Sequence, residues 1–365
     1  MEIHYYKRTI RELRENIKLP FQDPHHIMSS MNTGRKNAIL NNPSGCDDTD
    51  VCQILALDGD VVVGVTNPFL GRLLINGDIV PVQNGSNLFS HEDYRKVNVG
   101  GELFLKSTKL HPSGNNLRAG ISQMALPLYH AMKYSVFEFP RVIYLKKSRS
   151  VVQAFLRSEG WWAKPIVWVA DSCLWLHRQM IKLHNVLCYG SYTVEEIKEC
   201  PDEVEQIVLQ DEHPYMELHD KDWFNWNLNY SFSEDEKTKC KLYVVKRKRI
   251  VEAFFLTKQE FFKQASGRGF KNVYLGSIME WGIAKQSNIR EKGLVLLALN
   301  QFGSNIDGVQ YATNDECVLR QLVRWLFVRI GTANIAIRLR GVKDVAIKDI
   351  NNWRIRLAAS DTVIN

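Results

Sequence analysis

The stretch "HEDYRKVNVGGELF", residues 91–104, carries the residue types that grip a diphosphate. Arg95 and Lys96 supply positive charge, and Gly100-Gly101 let backbone amides approach an anion where a Cβ would stand in the way. Helical spacing follows at once, which predicts a helix from Gly100 to Leu110. The first turn of a helix leaves its N–H groups unpaired, and the helix dipole adds partial positive charge there. A pyrophosphate against that end is held by several amides together. Asn98 stands where an R-x-x-G-x-G loop has its middle glycine, and asparagine is the next-best residue for a left-handed backbone. Taken alone, such a run is more often a surface turn, so its meaning depends on the elements that hold it.

Those elements are legible on both sides. "CQILALDGDVVVGVTN" reads as strand, Asp-Gly turn, strand, and "GRLLINGDIVPVQNGSNLFS" repeats the pattern around Asn76-Gly77. An antiparallel meander over Val51–Ser90 therefore feeds straight into the loop. Beyond it the pattern predicts a short strand (117–121), a helix (124–132) and strands at 136–139 and 141–145. Ahead of the meander, a helix over Thr9–Lys18 and an irregular polar stretch to Asp50 are expected, and Lys146–Ser150 reads as a hinge.

The second half echoes the first. Laid over one another without gaps, Leu40-Asn41 meets Leu228-Asn229, Asp47 meets Asp235, Cys52 meets Cys240, and "ILALDGDVVVGV" covers "LYVVKRKRIVEA" turn on turn. Arg95 then falls near Arg290, and the helix ending at Tyr134 near one ending at Phe327. The expectation is a duplicated fold with a first domain over 1–150, a helical, aromatic-rich connector over 151–200 and a degenerate second domain over 201–365.

Composition narrows the class. A chain of 365 residues is long enough for two cores, and its net charge of +7 suits an anionic ligand without specifying one. No basic stripe alternates with stacking aromatics, so nucleic acid is not an expected partner. The seven cysteines form no C-x-x-C pair, which argues against a zinc or dithiol site and fits a reducing, cytoplasmic setting. No stretch reads as a signal peptide or a span, so a soluble protein without a membrane partner and without a metal is expected. The aromatic clusters "EGWWAKPIVWVADSCLWL" and "DWFNWNLNYSF" read first as core or interface and only second as a platform for a sugar or lipid. The basic run Lys246–Arg249 reads as a solvated hairpin turn.

In order and spacing, "GSNLFSHEDYRKVNVGGELFLKSTKL" resembles the central strand, Q/R-x-x-G-x-G/A loop and helix of the GNAT superfamily of acyl-CoA N-acyltransferases. "SQMALPLYHAMKYSVFEFPRVIYL" resembles the family's later helix and closing strands: Ala125, Leu128, Tyr129 and Tyr134 match, while Lys133 replaces a usual glycine. The whole chain resembles longer, often bacterial members with a second, degenerate GNAT-like domain, and "GTANIAIRL" resembles a terminal strand of that domain. This implies an α+β fold of tandem GNAT-like units, with mixed, mostly antiparallel sheets flanked by helices.

The resemblance also assigns roles. Arg95, Lys96, Val97, Asn98, Val99, Gly100 and Gly101 would hold the cofactor's pyrophosphate. Leu88, Phe89 and Ser90 would pair through backbone groups with the pantetheine arm, beside a bulge that frees an N–H for the thioester carbonyl. Tyr129 would be the general acid that protonates the departing thiolate, against the plainer reading of a packing tyrosine. His91, Glu92, Asp93, His130 and Glu138 are weighed as bases, and none is assigned. The second half keeps Arg290 and Gly293 but has Val295 and Leu322 at the matching positions, which implies no catalysis there. The implied reaction is direct attack of a primary amine, such as an amino sugar or another small amine, on acetyl-CoA or another acyl-CoA. Two rivals stand beside it: a catalytically decayed GNAT-fold binding protein, and an aminoacyl-tRNA-dependent transferase of the peptidoglycan-building type.

Overall fold

The computed structural model describes residues 2–123, 125–149, 152, 163–233, 238–264, 271–342 and 345–363. The chain begins with β1 (Ile3–Thr9), α1 (Ile10–Arg14) and α2 (Thr33–Leu40), then β2 (Val51–Asp58), β3 (Val61–Ile75) and β4 (Asp78–Ser90). Next come α3 (Val99–Ser107), β5 (Asn116–Ala119), α4 (Leu126–Ala131) and β6 (Ser135–Leu145). The second half holds α5 (Ala163–Tyr189), β7 (Tyr192–Ile197), α6 (Asp202–Leu209), β8 (Tyr215–Glu217), α7 (Lys221–Asn229) and β9 (Lys239–Arg247). It continues through β10 (Ile250–Gln264), β11 (Lys271–Ile283), α8 (Glu291–Leu299), β12 (Gly308–Ala312), α9 (Glu316–Arg324), β13 (Phe327–Arg338) and β14 (Trp353–Arg354).

These elements form two compact units, and neither is contiguous. Unit 1 comprises Met1–Glu138, Glu212–Glu234 and Asn334–Asn365, and unit 2 comprises Phe139–Asp211 and Asp235–Ala333. In each, an antiparallel meander (β2-β3-β4 or β9-β10-β11) leads through a helix to a strand parallel to the meander's last one. The next strand in sequence then leaves its own repeat. After α4, residues of β6 pair with β12 in unit 2, while after α9 the end of β13 pairs with β5 in unit 1. A division at residue 150 follows the repeats, whereas the units exchange their closing strands. Turn chemistry marks a repeat but carries no record of which β-edge its last strand will join.

Turn residues set the meander as expected. Gly59 has φ 57°, and Asn76-Gly77 have φ 52° and 92°, the double left-handed pair of a type I′ hairpin. Both faces of β2 and β3 are covered, since Ile54, Ala56 and Val63 pack against Val99 and Leu103 of α3. Leu55, Leu57, Val62 and Val65 pack on the other side with Ile27. Gly64 lets α3 sit close, because a Cβ there would lie 2.9 Å from Leu103 and 3.1 Å from the Phe89 carbonyl. The β9–β10 turn repeats the hairpin with Lys248 and Arg249 at φ 49° and 72°.

Several local expectations are corrected. The helix expected over Thr9–Lys18 begins as expected but ends early, as α1 at Ile10–Arg14, and the residues before it form β1, an edge strand paired with β2. Edge strands carry alternating charge to discourage further pairing, a pattern that imitates an exposed helix. The helix start itself was marked by Thr9 and Glu12, which form a reciprocal capping box. The stretch before Asp50 is not wholly irregular, since it contains α2, capped by Asn32. The strands at 136–139 and 141–145 are one, β6. Lys146–Ser148 is no hinge: the amides of Lys146 and Lys147 donate to the Asp307 carbonyl, and that of Ser148 to Asp171. Ser150, Trp161, Trp162 and Asp235 lie outside the described residues.

The C-terminus of α4 explains the Lys133 substitution. Tyr134 N–H reaches the Tyr129 carbonyl and Lys133 N–H that of His130, a Schellman closure with Lys133 at φ 60°. Lysine at this position is strained by its Cβ, and glycine would relieve it. Lys133→Gly should therefore raise unfolding stability by about 0.5–1 kcal/mol, after the extra freedom of glycine in the unfolded chain is counted. Equilibrium urea denaturation reads the change, and a loss of stability would refute the strain.

Candidate active site

The cleft grows out of a parallel pair that comes apart. Strands β4 and β5 are registered at Gln83↔Asn116 and Asn84↔Leu117, and the pairing stops there. From Gly85 onward the β5-facing edge of β4 has no ladder partner among the described residues. On its other edge β4 slips against β3: Val65 faces Phe89 and Asn67 faces Ser86, so Asn87 and Leu88 stand opposite Thr66 alone. Asn87 takes φ 49° to make this bulge. The result is a cleft of about 370 Å³ lined by Asn87, Leu88, Arg118, Ile121, Tyr129 and Asp361, among others. All of these residues belong to unit 1.

The loop follows the open edge. Asn98 is the N-cap of α3 with φ 60° and ψ 28°, the left-handed conformation the missing glycine would have supplied. Its carbonyl already receives Glu102 N–H. The amides of Val99, Gly100 and Gly101 have no partner among the described residues. Arg95, Lys96, Val97 and Asn98 are exposed, and Gly100 and Gly101 half-exposed. A Cβ on Gly101 would collide with the Asn98 side chain at 2.3 Å, so the glycine keeps that cap tight. Val99 is fully buried and anchors the turn rather than facing solvent. Leu88 and Phe89 are exposed and Ser90 half-exposed, along the open part of β4.

Tyr129 lines the same cleft and is buried. Its ring stands edge-on to Phe104 at 4.9 Å and to Tyr134 at 5.1 Å, which fixes its direction. Burial pushes its phenol up to about 12, against a smaller opposing effect of Arg118. A phenol that weak cannot hand its proton outright to a thiolate whose conjugate acid lies near ~8.5.

Sequence reasoning missed three residues here. Arg118 is buried and spans the splay, donating to the Gln83 carbonyl at 2.6 Å and the Leu117 carbonyl at 2.9 Å. Gly85 makes room for it, since a Cβ would lie 2.4 Å from its Nε. Burial lowers the Arg118 pKa, and the nearby tyrosines and Asp361 oppose that shift. Asp361 is a buried carboxylate whose charge also acts on Tyr129 and on Arg35. It reaches the cleft from the end of the chain, hundreds of residues away, and no local signal marks it. Among the bases weighed from sequence, His91 stacks on His25 at 3.9 Å, and His130 and Glu138 are exposed. None of these lines the cleft.

The matching place in unit 2 is closed. A Cβ on Gly293 would meet the Tyr189 hydroxyl at 2.2 Å, so that tyrosine covers the first turn of α8. Glu291 accepts from the Tyr311 hydroxyl at 2.7 Å, and Val295 and Leu322 are core residues.

No protein-family model and no curated protein matches the sequence. Solved structures match it in fold. One is N-myristoyltransferase of Saccharomyces cerevisiae with bound myristoyl-CoA, at TM-score 0.55 and 12% identity over 92% of this chain and 82% of that one. Another is a GCN5-related N-acetyltransferase from Anabaena variabilis, at TM-score 0.51 and 12% identity over 93% and 73%. The chain shares the α+β fold of these N-acyltransferase structures, with mixed, mostly antiparallel strands flanked by helices. Among the described residues no helix is long and apolar enough to cross a membrane, and no group of His, Cys, Asp and Glu is arranged to hold a metal.

Proposed function

We propose that the chain is an acyl-CoA-dependent N-acyltransferase whose one working site lies in unit 1. The observation that carries this reading is the splay of β4 from β5, with the bulged edge leading into the unpaired amides of α3. The pantetheine arm would add itself as a strand along Gly85–Ser90, and the pyrophosphate would lie on Val99–Gly101, flanked by Arg95 and Lys96. An amide freed by the Asn87–Leu88 bulge would face the thioester oxygen as negative charge develops there. The amine attacks the carbonyl carbon directly, CoA leaves as the thiolate, and Tyr129 hydrogen-bonds its sulfur. We assign Asp361 to the acceptor: it attracts the ammonium form and takes the proton that the amine must lose.

Acetyl-CoA is the donor this reading favours. The cleft is at the small end of ligand sites, and the Phe104 and Tyr129 rings, backed by Tyr134, form part of its wall. The acceptor is a small primary amine. Isothermal titration with CoA and with acyl-CoAs of increasing chain length tests the whole scheme. Binding of CoA, with no gain from long chains, is expected; no binding at all would leave a decayed fold.

Tyr129→Phe keeps the ring cluster and removes only the hydroxyl. Turnover should fall by about tenfold, roughly what one hydrogen bond to a developing anion contributes, with acetyl-CoA affinity nearly unchanged. Steady-state kinetics beside titration calorimetry separate the two quantities. An equal loss in both would make Tyr129 a packing residue.

A further inference from the structure

The tryptophan-rich helix α5 does not bury its tryptophans. Trp168 is 72% exposed and Leu187 75%, and Val169, Trp175, Leu176, Met180, Leu183 and Val186 are exposed as well. Leu176, Met180, Leu183 and Leu187 recur at helical spacing, so they form one stripe. The opposite face carries Ile181 and Asn185, which are buried in unit 2. A stripe of this size on a water-soluble surface marks something that covers it.

The charges along the helix say what. Lys164, Asp171, Arg178 and Lys182 share one strip at the edge of the stripe, next to Trp168 and Trp175. Asp171 accepts the Ser148 amide at 2.6 Å, whereas Arg178 and Lys182 make no ion pair among the described residues. Beside them lies a pocket of about 280 Å³ in unit 2, lined by Lys146, Trp175, Arg178, Lys182 and the loop around Phe302. Lys146 is buried and held by the carbonyls of Phe302 and Gly303 at 2.5 and 2.8 Å. Burial, with Arg178, Lys147 and Lys182 nearby, pushes its ammonium down to about 8, a cost that an anion in the pocket would relieve. Apolar stripe, border tryptophans and unpaired cations together match a helix lying in the plane of a membrane interface.

We infer that α5 docks on an anionic phospholipid surface, with its apolar stripe in the acyl boundary and a headgroup phosphate in the Lys146–Arg178–Lys182 pocket. A second copy of the chain is the weaker occupant, because self-pairing gives the cationic strip no counter-charge.

Flotation of the full chain with vesicles tests this independently of the acyl site. Capture by phosphatidylcholine vesicles containing phosphatidylglycerol, lost as salt rises, is expected, with little capture by phosphatidylcholine alone. Arg178→Ala and Lys182→Ala should each weaken capture by about fivefold. Leu183→Ser with Leu187→Ser should weaken it by on the order of tenfold or more. All four side chains are solvent-facing or half-exposed, so melting temperature should stay at the wild-type value. Equal capture by neutral vesicles, or none by either, would overturn the inference. So would a dimer in light scattering that the leucine variants dissociate, or calorimetric binding of inorganic phosphate without vesicle capture.

Discussion

Gly100→Trp should abolish binding of CoA and acetyl-CoA while leaving the chain folded. Gly100 lacks a left-handed backbone, so a larger residue meets no conformational penalty there. A Cβ would find the Ser90 side chain, its hydroxyl at 3.3 Å and its Cβ at 3.9 Å. The indole would instead lie across the unpaired amides that begin α3. Losing about two charge-assisted hydrogen bonds, at ~1.5–3 kcal/mol each, weakens binding by at least about a hundredfold. Gly100→Ala is the control and should bind within a few fold of wild type. Titration calorimetry and a thermal melt read both variants. A tryptophan variant that binds CoA normally would remove the diphosphate from this turn and the proposed enzyme with it.

Asp361→Asn should carry the second large effect, on turnover rather than on cofactor. The amide keeps the shape of the carboxylate but neither attracts an ammonium nor accepts its proton. General-base catalysis is typically worth about 10²–10⁴-fold, and kcat should fall by roughly that factor. CoA should bind as before. Asp361→Glu should recover part of the rate. Loss of the carboxylate also deprives buried Arg118 and Arg35 of a nearby negative charge, so some destabilisation is expected. If kcat, CoA affinity and melting temperature all fall together, and glutamate rescues none of them, Asp361 only supports the arginines.

What the sequence disclosed was chiefly local. Asp-Gly and Asn-Gly turns, the helix after Gly100 and the stand-in at Asn98 follow from backbone sterics acting within a few residues, and the structure has each of them. The bulge on the strand before the loop, which the resemblance implied, is present as well. The reading failed where distant partners decide. Strand β1 had no local signal, because its partner β2 is far away in sequence. Trp168 and Trp175 were expected in a core or interface on the strength of their area alone, yet they face solvent, whereas Trp223, Trp226 and Phe232 are buried as expected. Arg118 inside a splayed sheet and Asp361 at the cleft depend on tertiary folding, and no motif encodes either.

The exchange of closing strands has a consequence for synthesis. Residues 334–363 supply the strand beside β5 and a carboxylate of the cleft, so the amino-terminal half leaves the ribosome without two parts that the proposed reaction needs. A nascent chain halted before Asn334 would have neither the strand that pairs with β5 nor the carboxylate assigned to the acceptor. Under the proposed reaction a chain lacking residues 334–363 would be inert rather than half-working.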